Sequence, residues 1–187
     1  EGGYEGYVEL SYIDEQIEVL NNAYAGMGVS FYLYSTDYTS NADWFYNDVE
    51  EQYKQALAID PATFLNIYTT NASGFLGYSY LPSSFEENNY MHGVVLQPWT
   101  LPGINPDWAY GDGDTGVHEV GHYLGLLHTF GNFEDGSYGN CSQGDEVADT
   151  PDQDGNVDTN GNGTLDIFDC DGGLDTCPDD PGNDPVY

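Results

Sequence analysis

The sequence predicts an α/β (α+β) domain followed by an irregular acidic segment. Three observations carry that expectation: two apolar stripes at helical spacing, four short β-rich runs among them, and an abrupt change of composition near residue 129. In residues 12–25, Ile13, Ile17, Leu20 and Tyr24 recur every three to four positions and so share one helix face. Residues 43–57 repeat the pattern with Phe45, Val49, Tyr53 and Leu57. Both segments read as helices packed on a sheet. The strands are expected at 29–35, 63–69, 75–80 and 92–97, each bounded by Gly, Pro or Asn. From about residue 129 aliphatic side chains become scarce and Gly, Asp and Asn crowd together. The expected division is therefore a subdomain at 1–128 and an irregular acidic one at 129–187.

Composition narrows location and partners. The 187 residues, 15% of them aromatic, suit one domain with a substantial core. Thirty-three acidic residues face a single basic one, Lys54, giving a formal charge of −32. Such a chain repels itself unless counterions or bound metals offset the field, and nucleic acid and anionic membrane surfaces are poor partners for it. No apolar run approaches the ~20 residues of a membrane span. No signal peptide stands at the N-terminus, as expected of a secreted protein in mature form, so an extracellular location is expected.

Three of the four histidines lie in one run: His118-Glu119-Val120-Gly121-His122-Tyr123-Leu124-Gly125-Leu126-Leu127-His128, the pattern H-E-x-x-H-x-x-G-x-x-H. On a helix, His118 and His122 are one turn apart on the same face, so two imidazoles can reach one metal with Glu119 beside them. A continuing helix would carry position 128 away. A break at Gly125, free to take positive φ, can swing His128 back as a third ligand. Three neutral nitrogens on Zn²⁺ leave a fourth position for water, the catalytic arrangement. Glu119 is then the candidate general base for hydrolysis of a peptide bond. The bland alternative is a core helix with Val117, Val120 and Leu124 inward and histidines that happen to lie opposite. The remaining histidine, His92, reads as a local hydrogen-bonding residue at the start of a strand.

With its surroundings the run resembles the metzincin zinc metallopeptidases, and among them the pappalysin (ulilysin-like) family. Asp14-Glu15-Gln16-Ile17 to Leu20-Asn21 is similar to the family's first helix. Leu65-Asn66-Ile67-Tyr68, Leu76-Gly77-Tyr78 and Gly93-Val94-Val95 are similar to its central and edge strands. Gly144-Asp145-Glu146-Val147-Ala148-Asp149-Thr150-Pro151 and Asp175-Thr176-Cys177-Pro178 follow at family-like positions. The resemblance implies a twisted, mostly parallel sheet with an antiparallel edge strand, a backing helix, a zinc helix, and a calcium-binding C-terminal subdomain. It also implies a calcium site around Asp145 and Thr150, and a disulfide between Cys141 and Cys177, with Cys170 joined to a cysteine beyond the segment. In the family, Asp184-Pro185-Val186-Tyr187 would lead into a Met-turn beneath the zinc. Met27 and Met91 are in the wrong place to serve, and only Tyr7-Val8-Glu9-Leu10 could supply the first strand. The expectation is the middle of a larger catalytic domain, with a missing C-terminal segment carrying the Met-turn.

Three cysteines are an odd set for an oxidising compartment; the alternative is three reduced buried thiols. Between residues 158 and 169 the spacing fits a twelve-position calcium loop. Asp158, Asn160, Asn162 and Asp166 supply oxygens at positions 1, 3, 5 and 9, the Thr164 carbonyl serves at 7, glycine stands at 6 and Asp169 at 12. The competing reading is a solvated acidic linker. Asn71, Asn140 and Asn162 begin glycosylation sequons. The function expected is a secreted zinc- and calcium-binding endopeptidase acting on protein or peptide substrate laid against the edge strand near Phe75 to Tyr80. The rival is a calcium-dependent structural or adhesive extracellular module that keeps a zinc site without turnover.

Overall fold

In a computed structural model the structure describes residues 6–46, 49–131, 139–142, 144–148, 150–158, 161, 163 and 175–178. The chain divides into two compact units, Glu1–Gly125 and Leu126–Tyr187.

The first unit is a mixed α/β assembly around a small sheet. Helix α1 spans Leu10–Ala23, and its apolar stripe is the expected one: Leu20 and Tyr24 are buried, with Ile13 and Ile17 packed against them. Tyr7–Leu10 supplies no strand. Leu10 already opens α1, and Val8 goes into the core as a single buried side chain.

Residues 29–35 form no strand either. The backbone N–H and C=O of Phe31 are both taken by the Asn21 side chain, at 2.8 and 2.9 Å, so this stretch is tied to α1 by an amide. Tyr32 and Tyr34 stay exposed. The helix expected over 43–57 is two: α2, Ala42–Tyr46, and α3, Glu50–Leu57. The Phe45 carbonyl accepts from the Asn71 amide (2.9 Å), and Val49 leaves helical geometry at φ −124°, ψ 40°.

Strands β1 (Ile67–Thr69), β2 (Gly77–Ser79) and β3 (Val94–Leu96) pair in the order β1-β3-β2. β1 runs parallel to β3, and β2 is antiparallel at the edge. Register and pleat sort the side chains. Tyr68, Val95 and Tyr78 stand in one row, packed with Tyr53 of α3. Val94 and Leu96 point the other way, into the cluster of Val8, Leu20, Tyr24, Leu101 and Val120. That second face carries α4, Asp114–Tyr123, with α1 beside it.

The sole basic residue is buried on the first face. Lys54 Nζ meets Glu50 Oε1 at 2.6 Å, donates to the Met91 carbonyl at 2.8 Å, and lies 5.2–5.9 Å from the ring centres of Tyr68, Tyr78 and Tyr80. The Tyr80 hydroxyl closes the group on Glu50 (2.9 Å).

In the second unit the described residues contain no helix or strand. Side chains and turns hold it. The Thr129 hydroxyl donates to buried Gln153 (2.8 Å), the Asn156 amide donates to the Gly139 carbonyl (3.0 Å), and the Asp154 amide donates to the Thr176 hydroxyl (2.8 Å). Cys141 and Cys177 are disulfide-bonded, with Cα atoms 5.4 Å apart.

Candidate active site

The site is built on α4, and α4 is set by glycines that let α1 come close. Gly113, at φ +93°, precedes the helix, and its carbonyl accepts from the buried Gln16 amide (3.0 Å). A Cβ on Gly116 would stand 2.5 Å from Gln16 Nε2, so only glycine admits that side chain. The Tyr24 hydroxyl adds a bond to the Val117 carbonyl (3.0 Å). Val120 is fully buried, but Leu124 is 45% exposed, against the reading of a plain core helix with Leu124 inward. It sits at the C-cap, where the helix is already ending.

The break falls at Gly125, at φ +102°, whose amide still bonds the His122 carbonyl (2.9 Å). No atom lies nearer than 3.8 Å to a Cβ built there, so conformation rather than space asks for glycine.

His118 and His122 present Nε2 atoms 3.0 Å apart with ring planes at 90°. Two nitrogens each ~2.0–2.1 Å from a tetrahedral zinc would be about 3.3 Å apart, so the pair stands near ligand spacing. His118, His122 and His128 each offer a nitrogen within 4.8 Å of the others. A donor set of three imidazoles suits a borderline-soft ion such as zinc. His128 stacks on Phe130, centroids 4.8 Å apart.

Glu119 is only 7% exposed, and burial pushes its carboxyl up to about 7, with the Ser79 hydroxyl pulling the other way. Two strand residues that sequence reasoning passed over meet it. Gly77 leaves room for the Glu119 Cγ, and Ser79 Oγ donates to the Glu119 carbonyl at 2.8 Å. Gln16 also went unnoticed; its signal was Gly113 and Gly116, just before the histidine run. His92 stands two residues ahead of β3, bonded to the Glu86 carbonyl (3.1 Å) and edge-on to Phe85.

The other sequence candidates are dispersed. Asp158 is described, and its carboxylate accepts from the Gly161 and Gly163 amides at 2.6 and 2.8 Å. Asn160, Asn162, Thr164, Asp166, Asp169 and Cys170 lie outside the described residues. Asp145 accepts from the Val147 amide (2.9 Å), and the Thr150 amide bonds the Val147 carbonyl (3.2 Å). Asn71 is half-buried. Asn140 is exposed and accepts from both the amide and the hydroxyl of Ser142.

A small mixed sheet backed by helices, with a histidine-bearing helix that stops at a glycine, places the chain in the metzincin class of metallopeptidases. Within that class it belongs to the pappalysins: residues 47–177 match Peptidase M43, described as pregnancy-associated plasma protein-A. The chain is 39% identical over 186 residues to an extracellular metalloprotease of Sordaria macrospora, covering 97% of this chain and 59% of that protein. It is 36% identical over 184 residues to an extracellular metalloprotease of Colletotrichum graminicola, covering 97% and 60%. The chain thus spans about 60% of the length of the curated relatives it matches. Mature mirolysin of Tannerella forsythia, solved in complex with a cleaved peptide, superposes with a TM-score of 0.63 at 26% identity, over 78% of this chain and 66% of that one. No helix among the described residues is long and apolar enough to cross a membrane.

Proposed function

We propose that the chain carries the catalytic machinery of a secreted zinc endopeptidase. The observation that supports this most is the convergence of His118, His122 and His128 around one point, with buried Glu119 beside them on α4. Zinc held by those three nitrogens would lower the pKa of its water toward ~7 and polarise the scissile carbonyl. Glu119 would then be placed to take a proton from the attacking water and return it to the leaving amine. Its buried setting suits a group that must hold a proton between the two transfers, and a neighbouring dication would favour the carboxylate before the first. Substrate lies extended along β2, whose only strand partner among the described residues is β3, and pairs with its outer side as an added strand. Exposed Phe75, just ahead of β2, offers an apolar contact there. The naming of fungal relatives as extracellular metalloproteases supports secretion.

Calcium is the second part of the reading. The amides of Gly161 and Gly163 fold the chain back onto Asp158, as a calcium loop over 158–169 requires. Asp145 and Thr150 are proposed as ligands of another calcium on the strength of the family resemblance. The test is cleavage of a denatured protein with and without a zinc chelator, repeated with Glu119→Gln. Cleavage that needs zinc and falls to a small residual rate in the variant, with one zinc per chain retained, is expected. Zinc binding without cleavage would favour a structural module, and near-parent activity of Glu119→Gln would remove the assigned base.

A further inference from the structure

Strand β2 does more than offer an edge. Gly77 and Ser79 are two residues apart, so both face α4, while Tyr78 between them turns to the Lys54 side of the sheet. Both α4-facing positions meet the same residue. A Cβ on Gly77 would lie 3.0 Å from Glu119 Cγ and 2.9 Å from both the Val95 carbonyl oxygen and Leu96 Cδ2, so any side chain there must displace Glu119 or the strand. Ser79 Oγ donates to the Glu119 carbonyl at 2.8 Å, fixing the base at its own backbone rather than elsewhere on the helix. The strand is also held from behind. The Tyr78 hydroxyl meets that of Tyr53 at 3.1 Å, and its ring centre lies 5.9 Å from Lys54 Nζ.

We propose that Gly77 and Ser79 are positioning residues for Glu119, so that the strand along which substrate is laid also sets where the base stands relative to the scissile bond. The proposal rests on the peptidase reading above. A peptide paired to β2 has its register defined against residues 77–79, and the two contacts refer Glu119 to those same residues. Base and substrate then share one short reference element, and shifts of α4 against the sheet alter their separation little. Displacements of about 1 Å at such a group cost up to a hundredfold in rate.

The test uses the full chain loaded with zinc and a peptide substrate. Ser79→Ala is expected to lower kcat ten- to hundredfold, with KM changed less than about twofold and with zinc content and near-ultraviolet circular dichroism unchanged. Ser79→Thr, which keeps the hydroxyl, recovers most of the loss. In a Glu119→Gln background Ser79→Ala lowers the residual rate no further, because the residue it positions no longer acts as a base. Gly77→Ala, checked for folding in the same way, is expected to lower kcat as well, because its Cβ meets Glu119 Cγ and the β3 backbone. Full kcat in Ser79→Ala, a loss carried by KM alone, or an equal loss in the Glu119→Gln background overturns the proposal. If Glu119→Gln falls to a residual rate and Ser79→Ala keeps full kcat, only the positioning role fails. A parent chain that cleaves nothing removes the peptidase reading and this proposal together, whereas near-parent activity of Glu119→Gln removes the assigned base and with it this proposal.

Discussion

Replacing Lys54 by methionine removes the chain's single cation from the place where it is fully buried. The perturbation is well defined: methionine fills much of the stem's volume but loses the 2.6 Å ion pair to Glu50 and the 2.8 Å bond to the Met91 carbonyl. Glu50 is 11% exposed and would be left with one hydroxyl donor, Tyr80, for a buried negative charge. Removing one partner of a buried pair costs about 3–5 kcal/mol, because the remaining charge is uncompensated. Burial pulls the Lys54 ammonium below its ordinary pKa, with Glu50 opposing, so desolvation is the larger influence on it. It follows that the pair as a whole adds little over an apolar replacement. Lys54→Met combined with Glu50→Gln should therefore lose only about 1–3 kcal/mol, the orphaned Met91 carbonyl being the main debit. Urea unfolding at neutral pH compares Lys54→Met, Glu50→Gln and the double variant with the parent, and thermal melting should place Lys54→Met roughly 10 °C below the parent. A single variant within about 1 kcal/mol of the parent, or losses that simply add, would refute the account of Lys54 as a desolvated, paired cation.

Gly125→Ala should weaken zinc binding while leaving α4 folded, since the substitution meets no atom nearer than 3.8 Å but forces an L-residue to φ +102°, a strain of about 1–2 kcal/mol; chelator competition reads the affinity, and unchanged affinity would contradict the role given to the break. In metal-free protein Glu119, raised to about 7 by burial, binds a proton that the unfolded chain releases near pH ~4.3. Its contribution therefore makes stability fall as pH rises from about 4.3 to about 7 and level off above, and Glu119→Gln should remove that slope from melting curves taken across the range. If calcium is bound as proposed, withdrawing it with a selective chelator should raise protease cleavage first within residues 141–187, whose described residues include no helix or strand. Equal cleavage with and without calcium would favour the plain acidic linker.

What the sequence disclosed, and what it hid, divides along physical lines. The α1 stripe and the histidine run were legible because periodicity and ligand spacing are local properties, and Leu20, Tyr24, His118 and His122 stand where those periods put them. The three strands were legible as short β-rich runs between breakers, although each is trimmed to three residues. The stretch 29–35 misled because β-propensity says nothing about who accepts the hydrogen bonds, and Asn21 takes those of Phe31. The break between α2 and α3 has the same cause, since the Phe45 carbonyl is claimed by Asn71, 26 residues on. Gln16, Gly77 and Ser79 were hidden for a related reason: their roles arise from close approach between elements distant in sequence.

The charge of the chain bears on the choice of nitrogen donors in the three-histidine group that could hold a metal. With 33 carboxylates and the one cation, Lys54, already paired inside the first unit, the surface attracts hard divalent cations nearly everywhere. A catalytic centre built from carboxylates on such a chain would compete with calcium and magnesium at every encounter, because those ions seek oxygen ligands. Three imidazoles at 118, 122 and 128 would avoid that competition if they hold the metal as proposed: neutral nitrogen favours zinc over hard cations and adds no further negative charge. The negative field still helps, raising the local concentration of any dication without deciding which one stays. Selectivity then falls to ligand type alone, so zinc bound at the histidines should stay there in a large excess of calcium.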